Sequence, residues 1–243
     1  MGLILINSWI LKELKACEKF IIHPSGLVYL ACAATPDSRI TWIPSLNHLN
    51  TAALRVRDRT AEDYVATYNH QTGKVTKLHV RGLPDPRGLN LHGMDVVADK
   101  HDPDHLWMYL VNHRPPLDPS IDAHQVGADS VVEIFKTKLG SNSIEWVRTF
   151  ADPSIIVTPN DIVGGADGKE FWFTNDYRSK LGPSRQLHAL FRIKSSSVGY
   201  CHTDTGCKTA ADELYACNGI TRTHDGRMWV ASLLGGYVTV HAL

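Results

Sequence analysis

Short runs of alternating apolar and polar residues, closed by glycine-bearing turns, recur along the chain and predict strands almost everywhere. Residues 20–31 read as strand, Pro24-Ser25-Gly26 turn, strand. Residues 64–68 and 75–80 alternate on either side of a turn ending at Gly73. Residues 94–97 and 106–111 follow, split by a polar stretch from Asp99 to Asp104, and 130–136 pairs naturally with 144–148. Residues 162–163 and 170–174 flank Gly168, and 189–193, 220–231 and 237–241 complete the series. Three segments share one scheme: 22–31, 163–174 and 222–231 each run strand, Ser-Gly or Asp-Gly turn, aromatic strand. Such a unit, repeating at roughly 60 to 70 residues, predicts an all-β chain built as a β-propeller. A β-sandwich with similar hairpins is the alternative. At that size 243 residues hold about four blades, and the last strand stops in mid-unit. The expected layout is an N-terminal leader or packing segment over residues 1–17, then a partial propeller over residues 18–243.

Composition narrows the function classes. Lys+Arg and Asp+Glu each number 25, so the formal net charge is zero. No concentrated basic surface is available for a phosphate backbone, and nucleic acid is excluded as a partner. The opening run from Met1 to Leu11 is apolar but meets Lys12, Glu13 and Lys15 well short of the ~20 residues a membrane span requires. It lacks the basic start and small-residue cleavage site of an export signal, so no transmembrane span is expected and the compartment stays open. Five cysteines (Cys17, Cys32, Cys201, Cys207, Cys217) form no CxxC pair. In an oxidising compartment Cys201 and Cys207 would close a small loop, and the odd count leaves a free thiol.

Thirteen histidines are the first compositional hint of chemistry. In a propeller the chain just before each blade's first long strand faces the central axis. Those positions hold Glu18-Lys19, His92-Gly93, Asn160-Asp161 and Asn218-Gly219. Oxygen side chains recurring at equivalent blade positions suit a hard cation, and calcium accepts Asn amide oxygens beside carboxylates. The plainer reading is that Asn-Asp and Asn-Gly simply form turns. No GxSxG elbow is present, so a serine hydrolase mechanism finds no support.

The strings from Asn160 to Asp176 and from Asn218 to Leu234, with His92-Gly93-Met94 and Tyr109 to His113, resemble the serum paraoxonase/arylesterase family. The likeness runs from Glu18 to the C-terminus. It implies a propeller of the six-bladed type that hydrolyses lactones and esters with a calcium ion in a central tunnel, and a second, structural calcium. By motif, Glu18, Asn160 and Asn218 match ligands of the catalytic ion. Asp161 and the backbone carbonyl of Met94 match ligands of the structural one, and His92 and His113 match the histidine pair held to activate water. The implied cofactor is Ca2+, and the implied partner is a small-molecule ester or lactone. The resemblance also implies secretion, without a clear export signal here to support it. Two departures stand out. Lys19 replaces an acidic residue of the structural site, and the family's further Asp-Asn ligand pair falls in a blade beyond the end of this chain.

The chemistry implied is Lewis-acid polarisation of an ester carbonyl, with His92 taking a proton from water and His113 orienting it. The competing function is a propeller that has lost its metal and serves as a binding or interaction scaffold. An incomplete ring would expose sheet edges, which predicts poor solubility or self-association through them. His101, His105 and His124 lie in polar loops and read as solvent-exposed. The Arg55, Arg57 and Arg59 run reads as a solvated face, residues 114–129 as a loop over the tunnel mouth, and Trp172, Phe173 and Trp229 as blade core.

Overall fold

A computed structural model describes residues 11–55, 62–182 and 184–242. Most of the N-terminal run and the Arg57 and Arg59 part of the arginine run lie outside the described residues. The first blade opens with β1 (Cys17–Ile22) and β2 (Leu27–Cys32). An excursion then carries α1 (Pro36–Thr41), β3 (Trp42–Ile43), β4 (His48–Leu49) and α2 (Thr51–Arg55), before β5 (Tyr64–Asn69) and β6 (Lys74–Lys77) complete the sheet. The second blade has β7 (His79–Arg81) at its outer edge, parallel to the last of β8 (Leu91–Ala98), β9 (His105–Arg114), β10 (Asp129–Lys138) and β11 (Ser143–Phe150). Between β9 and β10 lies α3 (Ala123–Val126). The third blade is β12 (Pro159–Gly164), β13 (Glu170–Asn175), β14 (Ser196–His202) and β15 (Gly206–Leu214), with α4 (Ser184–Leu190) between its second and third strands. β16 (Cys217–Arg222), β17 (Arg227–Ser232) and β18 (Tyr237–Ala242) form the fourth.

Within each sheet the principal strands follow sequence order from the axis outward. The innermost strands β1, β8, β12 and β16 pack side by side in succession. This is a four-blade β-propeller arrangement, as the repeating hairpins predicted. Period-two alternation builds it: on β9, Leu106, Met108 and Leu110 enter the core shared with blade one, while Tyr109 and Val111 enter the core shared with blade three. On β13, Phe171 and Phe173 face blade two, and Trp172 faces blade four. The two outermost faces have no such neighbour among the described residues, and Phe20, Ile22, Val238 and Val240 are exposed there. Residues 11–16 lie against blade one, where the Tyr64 hydroxyl accepts from Lys15 N at 3.1 Å and donates to Glu13 O at 2.8 Å. No helix among the described residues is long and apolar enough to cross a membrane.

Several expectations need correction. The apolar run 189–193 is not a strand. It overlaps the end of α4 and the turn after it, with Leu190 and Phe191 exposed because no sheet edge meets them. The third blade instead recruits 196–202 and 206–214, which the polar and small residues there concealed. Gly199 is small because a Cβ would lie 2.3 Å from Phe173 Cζ on the next strand. The strand read through residue 80 ends at Lys77, and β7 then joins blade two. Trp229 is 40% exposed, since Met228 and Val230 are the residues that face blade three. Residues 114–129 back the excursion of blade one, with Ala123 and Ala128 packed under Trp42 and Leu49, rather than lining the central mouth.

Two disulfides are present. Cys201–Cys207 closes the β14–β15 hairpin as the spacing allowed, and Cys17–Cys32 joins β1 to β2. The second pairing has equivalents in the other blades. Opposite the first residue of each inner strand stands Cys32, Asn112, Asn175 or Ser232. Asn112 Oδ1 accepts from Asn90 N, Asn175 Oδ1 accepts from Val157 N and Thr158 N, and Ser232 Oγ donates to Tyr215 O. Each therefore clamps the chain just as it enters the axis.

Candidate functional site

The polar pairs read from the sequence lie inside the inner strands, at a β-bulge repeated in every blade. Strand register shifts between Cys17 and Lys19, between Leu91 and Met94, between Pro159 and Ile162, and between Cys217 and Ile220. A bulge turns consecutive side chains away from the regular alternation and so re-aims them. The first member of each pair, Glu18, His92, Asn160 and Asn218, lines one cavity of about 320 Å³. Asp176 and Tyr177 complete its wall, and Ile43, Leu46, Leu233 and Leu234 give it an apolar rim. The second members are Lys19, Gly93, Asp161 and Gly219. Glycine is required at position 93, where a Cβ would stand 2.3 Å from the Asn160 carbonyl oxygen on the neighbouring inner strand.

Charge in the first layer is unevenly compensated. His92 Nε2 is 3.2 Å from Glu18 Oε1, and this hydrogen bond holds the Glu18 carboxyl at about 2 against the opposing effect of burial. Asp176 has weaker support: Asn160 Nδ2 donates to its Oδ2 at 3.3 Å, and burial pushes its carboxyl up to about 6. The buried Cys217 thiol is pushed up to about 12 by burial, which excludes it as a thiolate nucleophile near neutrality. His113 stands edge-on to His92, with ring centroids 5.3 Å apart and planes at 84°. Its Nδ1 is 2.9 Å from Ser130 Oγ, and its Nε2 is buried with no hydrogen-bond partner. Burial first, and repulsion from His92 second, depress its pKa well below the usual histidine value. His113 faces a small gap beside Ser45, Thr158 and Lys180 rather than the main cavity.

In the second layer Lys19 Nζ donates to Asp161 Oδ2 at 2.6 Å, and Ile220 N donates to the same oxygen at 3.1 Å. Asp161 Oδ1 is buried without a partner. Asp95 accepts from Gly164 N and Val96 N, each at 2.9 Å, and burial pushes its carboxyl up to about 6. The Met94 side chain is fully buried in the core between blades one and two.

The two layers differ in their fitness for an ion. Among the described residues no three His, Cys, Asp or Glu side chains converge as a ready-made metal cluster. The first-layer cavity nonetheless offers two carboxylates, Glu18 and Asp176, and two carboxamides, Asn160 and Asn218. Those are hard oxygen donors, and the poorly compensated Asp176 carboxyl is the group a cation would relieve; this set fits calcium. The second layer does not fit. An ion sharing the Asp161 carboxylate would stand about 4 Å from the Lys19 ammonium and be repelled by roughly 8 kcal/mol at an effective dielectric of 20.

The structure brings Glu18, His92, Asn160 and Asn218, the residues read from equivalent blade positions, to one cavity, and places Lys19 in the layer behind it. Sequence reasoning missed Asp176, though the Thr174-Asn175-Asp176 string was part of the pattern noticed. It also missed the rim, because the excursion that supplies Ile43 and Leu46 has no blade periodicity.

Fold and site together define a propeller whose axial bulges gather oxygen donors and a histidine around one polar cavity. The chain belongs to the Arylesterase family, whose profile matches residues 37–242. It is 24% identical over 222 residues to human (Homo sapiens) serum paraoxonase/lactonase 3, covering 86% of this chain and 54% of that protein. The chain thus spans about half the length of that relative. Among solved structures it resembles a gluconolactonase from Xanthomonas campestris, with TM-score 0.48 and 10% identity over 94% of this chain and 58% of that one. It also resembles an aldose sugar dehydrogenase from Streptomyces coelicolor, with TM-score 0.44 and 12% identity over 89% and 56%.

Proposed function

We propose that the chain hydrolyses carboxylic esters and lactones in the cavity formed by Glu18, His92, Asn160, Asn218 and Asp176. The observation that carries this reading is the gathering of those side chains by the four axial bulges, in a chain of the Arylesterase family. Glu18, Asn160, Asn218 and Asp176 would hold a calcium ion, which when bound supplies Lewis-acid polarisation of the ester carbonyl. His92, whose Nε2–H donates to the Glu18 carboxylate 3.2 Å away, takes up the proton released by the attacking water at its other ring nitrogen, Nδ1, and Glu18 stabilises the resulting imidazolium. His113 stays neutral in its buried setting and fixes the His92 ring edge-on. The rim of Ile43, Leu46, Leu233 and Leu234 favours an apolar acyl or aryl group and keeps bulk water from the reacting carbonyl.

The test is hydrolysis of a simple aryl ester and a γ-lactone by the purified protein, with calcium and with excess chelator. We expect activity that chelator removes and calcium restores, and a fall of ~10²-fold or more in kcat for His92→Gln. Chelator-resistant turnover, or an unchanged His92→Gln rate, would refute the mechanism. A folded protein that binds ester without turning it over would instead support a binding scaffold.

A further inference from the structure

The four bulges leave a second layer behind the first, and its composition is unusual for a site between packed strands. Two carboxylates, the buried Asp161 on β12 and the half-buried Asp95 on β8, lie there beside one ammonium, Lys19 on β1. Burying a carboxylate is unfavourable unless a cation or several donors compensate it. Asp95 relies on two backbone N–H groups, while Asp161 has Lys19 and Ile220 N on one oxygen and nothing on the other.

We propose that the Lys19 ammonium is a built-in cation that replaces a metal ion in this layer. It neutralises Asp161 and Asp95 from within the chain and leaves the layer free of metal. Its position also has a mechanical consequence. The Lys19–Asp161 contact crosses from blade one to blade three, and Asp161 reaches on to blade four through Ile220 N. Lys19 and Asp161 are the immediate neighbours of Glu18 and Asn160 in their bulges. The ion pair therefore sets the spacing of two first-layer residues without a second metal. Lys19 reaches the layer from the solvent side, since it lines an open cavity of about 370 Å³ with Asp95, Ile162 and Arg222 and keeps 28% of its side chain exposed.

Counting bound calcium on the full chain by equilibrium dialysis and elemental analysis tests this directly. Lys19→Asp removes the ammonium and adds a third carboxylate beside Asp161 and Asp95. It is expected to bind one calcium more per chain than the unaltered protein, and its melting temperature should rise with added calcium by a larger shift. Asp161→Asn in the unaltered background is expected to leave the count unchanged, because no ion uses that carboxylate. The count difference is independent of the proposed catalysis: the sequence runs from one to two if the first layer binds calcium, and from none to one if it does not. An unaltered protein that loses one calcium on Asp161→Asn would overturn the proposal. So would a folded Lys19→Asp chain that gains none. If Lys19→Asp folds only when calcium is present, that dependence itself supports it, provided Lys19→Met folds without gaining an ion.

Discussion

Replacing Gly164 by alanine would strike the seam between blades two and three. A Cβ at that position would sit 2.0 Å from Tyr109 Cε2 and 2.1 Å from Tyr109 Cδ2. Favourable carbon–carbon contacts lie near 3.5–4.0 Å, so the overlap is about 1.5 Å. The Tyr109 ring is fully buried and its hydroxyl donates to Gly165 O at 2.6 Å, so the ring cannot retreat without losing that bond. Overpacking of this size costs about 3 kcal/mol and the lost hydrogen bond about 1 kcal/mol more. For a domain of this length a total near 4 kcal/mol lowers the melting temperature by roughly 8–16 °C. Calorimetry or near-ultraviolet circular dichroism on the melting protein would measure it. Tyr109→Leu removes the offending ring edge, so Gly164→Ala should cost ~2 kcal/mol less in that background, a coupling readable from the double-mutant cycle. Because β8 carries His92 and β12 carries Asn160, the proposed ester hydrolysis should fall along with stability in the single variant. A Gly164→Ala protein melting within about 2 °C of the parent, or losing the same amount in both backgrounds, would refute the claim that this seam is closed by direct contact.

Other predictions address the frame around the site. Cys17→Ala with Cys32→Ala opens a 15-residue loop and should cost about 3 kcal/mol, seen as a matching drop in the denaturant midpoint. Asp85 bridges Arg87 at 2.6 Å and Arg114 at 2.9 Å, and its hydrogen bond with Arg87 holds its carboxyl below the ordinary aspartate value. A carboxyl depressed in the folded state contributes stability that is present above the unfolded pKa and lost as pH falls through the folded one. Asp85→Asn should therefore cost about 2 kcal/mol at pH 7 and flatten the loss of stability below pH ~4, in denaturant titrations run across that range. Equal acid sensitivity in parent and variant would show that the bridge contributes nothing.

How much of the molecule was legible depends on whether a feature is written locally. The hairpins at Gly26, Gly168 and Gly226 were, because each turn needs a left-handed glycine and each flank alternates with period two. β14 was not: its Gly199 and its serines serve a neighbour's ring and a neighbour's backbone, as where Ser196 Oγ donates to Asp176 O. The run at 189–193 failed in the opposite sense, since its apolar residues suit a strand but meet no sheet.

The sequence by itself determined the repeating β architecture and the placing of Glu18, His92, Asn160 and Asn218 at equivalent blade positions, because both follow from residue type and spacing along the chain, while Lys19 stood out through the family resemblance. Only the tertiary structure decided which side chain of each polar pair faces which layer, that Asp176 joins the first, and that Lys19 answers Asp161. Those are relations between strands of different blades, and they arise from where the bulges place neighbouring residues once the four inner strands pack together. Sequence order carries no record of that distance: Lys19 and Asp161 are 142 residues apart along the chain and 2.6 Å apart across the axis.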